Sequence, residues 1–122
     1  MKNFPDYYTR LQRGMATLGT ALPDTLAGFG HLHRAIMDDG ALSVRVKELI
    51  ALAIAVVQRC DGGIAYHLTD ALREGARREE IVEAVGVAIL MGGGPAMVSA
   101  AEALDALAQF EARPKSWSPS AT

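Results

Sequence analysis

A chain of 122 residues is the size of one domain and long enough to bury a real core. Half of it is apolar and its mean hydropathy is +0.14, high for a small soluble monomer, so part of the apolar surface is expected to meet another subunit. A net charge of −2 and a pI near 5.9 give no reason to expect nucleic acid or an anionic membrane as partner.

The first helix is expected over residues 4 to 21, with Pro5 in its opening turn and Leu11, Met15, Leu18 and Leu22 at helical spacing. A second runs from about Pro23 to Asp38, with Leu26, Phe29, Leu32, His33 and Ile36 on one side, and Asp39-Gly40 turns the chain. Ser43 is placed to cap a third helix over about 44 to 59. Its run from Leu49 to Val57 is apolar on all sides, which predicts burial in the core. With no other segment reading as a strand partner, helix is preferred to strand there. Asp61 is expected to cap a fourth helix to about 74, ended by Gly75 in the left-handed conformation. A fifth follows over about 78 to 91, with Glu79, Glu80 and Glu83 at its positive dipole end. Gly92-Gly93-Gly94 interrupts it, and Pro95 opens a sixth helix to about 112 with Met97, Ala101, Leu104, Leu107 and Ala108 on one face. The expectation is therefore an all-α fold of about six helices in one domain, 1–112. Helices three and four form an antiparallel core pair, and a flexible tail covers 113–122.

At the break between those two helices sits the sequence's single cysteine, Cys60, with Glu48 twelve residues before it and His67 seven after. One cysteine excludes an internal disulfide and fits a reducing compartment. MKNFPDYYTR has no apolar signal core, and no apolar run approaches the roughly 20 residues of a membrane span. A soluble, cytoplasmic protein is expected.

The register of Glu48, Cys60 and His67 resembles the active-site signature of the alkylhydroperoxidase D-like proteins. These belong to the wider carboxymuconolactone decarboxylase superfamily of small all-helical oligomers. The likeness extends to Asp39-Gly40-Ala41-Leu42-Ser43, to Gly75-Ala76 with Glu79-Glu80-Ile81, and to Met91-Gly92-Gly93-Gly94-Pro95. It departs at the second cysteine of the signature, which is Gly63 here.

The resemblance implies Glu48, Cys60 and His67 as catalytic residues, no cofactor and no metal, a small-molecule substrate, an external thiol reductant, and a homo-oligomer, trimer or hexamer. In the related proteins the second cysteine attacks the peroxide and the first resolves it as a disulfide. A thiol in the first turn of a helix lies near free backbone amides that favour thiolate. A histidine four residues after position 63 would lie above it to exchange a proton, with the glutamate orienting that histidine. Cys60 and His67, by contrast, are separated by roughly 10 Å of helix rise.

Three functions follow. The first is hydroperoxide reduction or dithiol–disulfide exchange, for which Cys60 needs a thiol from outside the chain. The second is a non-redox decarboxylase-like reaction using Glu48 and His67. The third is a catalytically lapsed binding or structural homologue. His31 and His33, two apart on a helix, do not chelate one metal and read as surface residues. The triple glycine reads as a helix stop that permits close packing, not as a phosphate loop.

Overall fold

Asn3 starts the first helix: its side-chain oxygen accepts the Asp6 amide at 3.0 Å, and the ring of Pro5 fits the first turn, where no amide is needed. In the computed structural model, which describes residues 2–113, six helices follow in order and no strand occurs among the described residues. They are α1 (Phe4–Ala21), α2 (Pro23–Ile36), α3 (Val44–Val57), α4 (Asp61–Arg73), α5 (Arg78–Gly92) and α6 (Gly94–Glu111). The tail expected over 113–122 lies outside the described residues from position 114 onward.

Ser43 caps α3 as expected, accepting the Val46 amide at 3.2 Å. Helix α3 is the centre of the fold and packs on α4, α5 and α6. Ala55 meets Gly63 near the short connection and Glu48 meets His67 further from it, so α3 and α4 run antiparallel. Arg45 pairs with Glu80 and Val57 lies beside Gly92, which sets α5 parallel to α3. The core between them is made of Leu52, Val56, Ile64, Leu68, Ile81 and Leu107, interleaved with buried alanines that let the helices approach closely. Tyr8 of α1 closes one end, its ring 4.7 Å from that of Tyr66 and edge-on to Phe110 at 6.4 Å.

Three expected faces differ from those observed. On α1 the buried residues are Phe4, Pro5, Tyr8 and Gln12, while Met15, Leu18 and Leu22 are 41–49% exposed. Helix α2 contacts α1 and buries none of its residues, so Phe29, Leu32 and Ile36 face outward. On α6 the inner face is Ala96, Ala100, Ala103 and Leu107, and Met97 points out. Small residues allow the tighter approach of α5 and α6, so alanine displaces the larger side chains from the inner face. Helix α3, expected to be buried all round, also leaves Ile50, Ile54 and Val57 uncovered.

The end of α3 carries strain. The Cys60 amide reaches Ala55 O and the Arg59 amide reaches Val56 O, the two bonds of a Schellman closure. That closure places Arg59 at φ 55, a left-handed conformation suited to glycine. The end of α4 has the same two bonds, from Ala76 to Ala71 and from Gly75 to Leu72, with Gly75 at φ 85 as expected. Arg59→Gly should therefore raise the unfolding free energy by about 1 kcal/mol. A urea titration showing no gain or a loss contradicts this.

Candidate active site

The site is built where α3 and α4 cross. Position 48 lies on the face of α3 turned to α4, so its carboxylate is drawn into the core and Glu48 is only 2% exposed. A carboxylate there needs a partner, and His67 supplies it: Nδ1 of the ring is 2.8 Å from Oε2 of Glu48. With Glu48 ionised, Nδ1 is the donor in this bond and Nε2 keeps the free lone pair. The His67 side chain is 26% exposed, which leaves the ring reachable from outside.

Cys60 stands apart from this pair. It is exposed, and the Gly63 amide donates to its Sγ at 3.3 Å, which makes Cys60 the N-cap of α4. Asp61, expected in that role, occupies the first helical position instead and pairs with Lys2 at 2.9 Å. The Schellman closure of α3 explains the shift, because it delivers Cys60, not Asp61, in the extended conformation a cap needs. Sequence reasoning named Glu48, Cys60 and His67 together; the structure joins Glu48 to His67 and leaves Cys60 outside their cluster.

In its place stands Asp70, which the sequence reading passed over. One donor atom each from Glu48, His67 and Asp70 lie within 4.8 Å of one another. Burial pushes the Asp70 carboxyl above its ordinary range, and the charge of Glu48 adds to the shift. Arg73 touches Asp70 at 3.4 Å from the outer side. The available signal was spacing: Asp70 lies three residues after His67, on the same face of α4.

Gly63 has a packing cause. A Cβ built there would lie 2.9 Å from the Ala55 Cβ, closer than real carbons approach, and 3.4 Å from the Cys60 Sγ. The glycine lets α3 and α4 approach closely at Ala55.

A sequence model of the carboxymuconolactone decarboxylase family matches residues 23–106, which include every residue of this site. The chain belongs to that family. Its fold is similar to that of a family member from Legionella pneumophila, with a TM-score of 0.84 and 39% identity over 88% of this chain and 96% of that one. A second family structure, from Thermotoga maritima, gives a TM-score of 0.77 and 30% identity over 86% and 90% of the two chains. An uncharacterised protein of Cupriavidus necator is 41% identical over 96 residues, 79% of this chain and 85% of its own length. The all-α architecture is thus that of the family, and no described helix is long and apolar enough to cross a membrane.

Proposed function

We propose that Glu48 and His67 form a proton-transfer pair acting on a small organic acid, in a reaction of the non-redox decarboxylase type. The observation that carries this reading is the 2.8 Å bond between a buried carboxylate and a partly exposed imidazole. Glu48 fixes the ring and stabilises its positive charge when Nε2 takes a proton, the arrangement that general acid–base catalysis needs. In decarboxylation of an unsaturated lactone acid the bond to the carboxylate carbon breaks and CO2 leaves. The electron pair delocalises into the lactone carbonyl, and a proton must return to carbon. The protonated Nε2 of His67 delivers it and is reloaded from solvent.

A second reading rests on Cys60, whose exposed Sγ sits at the start of α4 beside free backbone amides. An antioxidative role has been suggested for the Thermotoga protein. Here the thiolate would attack the distal oxygen of a hydroperoxide, releasing the alcohol and leaving a sulfenic acid. Two external thiols would then return it to thiol as water and an external disulfide form. The two readings separate in one experiment: carboxymuconolactone turnover, and tert-butyl hydroperoxide turnover with dithiothreitol, in wild type and Cys60→Ser. The proton-transfer reading expects lactone turnover unchanged by Cys60→Ser. Hydroperoxide turnover that Cys60→Ser abolishes, with no action on the lactone, would overturn it.

The same proposal includes self-assembly. The uncovered Phe29, Leu32 and Ile36 of α2, Ile50 and Ile54 of α3, and Leu90 of α5 are more apolar surface than a small monomer keeps in water, and a trimer or hexamer would bury it. Light scattering at micromolar concentration should report an oligomer; a monomer there would sink this part of the proposal.

A further inference from the structure

The cluster of Glu48, His67 and Asp70 has an electrostatic imbalance that the proton-transfer reading does not use. Two carboxylates meet at one point, one of them 2% exposed, and a single imidazole stands between them. Of the two carboxylates the adjacent Arg73 guanidinium pairs with Asp70, across 3.4 Å and from a side chain 48% exposed. Two negative charges in a partly desolvated place are relieved by a divalent cation more completely than by one imidazolium.

The geometry points the same way. All three side chains come from two helices locked together by the Ala55–Gly63 approach, so the donors are held on rigid elements. Nδ1 and the Glu48 oxygen, 2.8 Å apart, need part by only about 0.6 Å to reach the roughly 3.4 Å edge of a tetrahedral site on bonds of about 2.1 Å. A donor atom of Asp70 lies within 4.8 Å of those of the other two. One imidazole with two carboxylates is a donor set suited to zinc, cobalt or manganese, and three protein ligands leave positions open for water.

We propose that Glu48, His67 and Asp70 form a binding site for one divalent transition-metal ion, for which His67 gives up its Nδ1 proton and Nδ1 and the Glu48 carboxylate turn from each other to the ion. Metal and proton relay then exclude one another at this pair, and a bound ion switches the acid–base form off.

The test uses the full chain, untagged and treated with chelator. It is titrated with cobalt(II) chloride followed by visible absorption, and with zinc chloride by calorimetry. Wild type should bind one ion per chain saturably at micromolar concentration. Asp70→Asn and His67→Gln should each weaken binding by about tenfold or more, while His31→Ala, away from the cluster, leaves it unchanged. Asp70 is only partly buried, so its variant keeps the test sound should His67→Gln fold poorly. Absence of saturable binding overturns the proposal. So does binding that survives Asp70→Asn undiminished, or binding lost in His31→Ala.

Discussion

On the proton-transfer reading, His67→Ala will lower carboxymuconolactone turnover by about 10²–10⁴-fold, the range a positioned acid–base side chain contributes. The fold should survive, because α4 is anchored by Ile64, Leu68 and Ala71, all fully buried, and His67 is not among them. The substitution leaves the Glu48 carboxylate buried without its partner, at a cost of about 1–3 kcal/mol. Glu48→Gln offers an amide oxygen to the same ring and loses only the charge, so its effect on turnover should be milder. If the two residues act as a unit, the double variant Glu48→Gln/His67→Ala will be no slower than His67→Ala alone. Additive losses would mean that Glu48 acts on substrate independently.

Gly63→Cys in an Ala55→Gly background will gain dithiol-dependent hydroperoxide turnover on the order of 10²-fold over the natural chain, by adding a positioned nucleophile and base. Position 63 lies one helical turn before His67, where a thiol can pass its proton to the ring once Nε2 or Nδ1 is free. A Cβ there would lie 3.6 Å from the Cys60 Cβ, inside the range for a disulfide, so Cys60 can serve as the resolving thiol. Gly63→Cys alone is expected to do worse, because its Cβ falls 2.9 Å from the Ala55 Cβ and overpacking of this kind costs about 1–3 kcal/mol. Removing the Ala55 methyl opens that space. Peroxidase assays with thermal melts of the natural chain and the two variants decide it. A double variant that folds as well as the natural chain yet gains no activity would show that position 63 is not the missing element.

Ser43, Gly75 and the three glycines marked the helix ends in the sequence because each end has a local chemical cause. Arg59 escaped such reasoning, since nothing in its side chain announces a left-handed turn; only the bonds from Arg59 and Cys60 back to α3 reveal it. Cys60 displaced Asp61 as the cap for the same reason. Apolar spacing located the helices but not which apolar face turns inward. Leu18, Phe29 and Ile54 satisfy helical spacing as well as any core residue, and their exposure is decided by tertiary packing among alanines. Within the site, Glu48 and His67 were legible through their register. Asp70 was not, because an acid one turn along a helix reads as a solvated face until α3 is seen to cover it. Gly63 read only as a departure from the second cysteine of the signature; its contact with Ala55 gives it a packing role no spacing could disclose.

The central claim is that Glu48 holds His67 with Nδ1 protonated, leaving Nε2 to take up a proton from solvent and deliver it. A long-range proton–nitrogen NMR spectrum of metal-free protein, recorded under conditions where the ring is neutral, tests it directly. The account predicts a protonated Nδ1 and an unprotonated Nε2 for His67, with that preference reduced in Glu48→Gln and unchanged in Cys60→Ser. A protonated Nε2 in the natural chain, or a tautomer indifferent to Glu48→Gln, would contradict it.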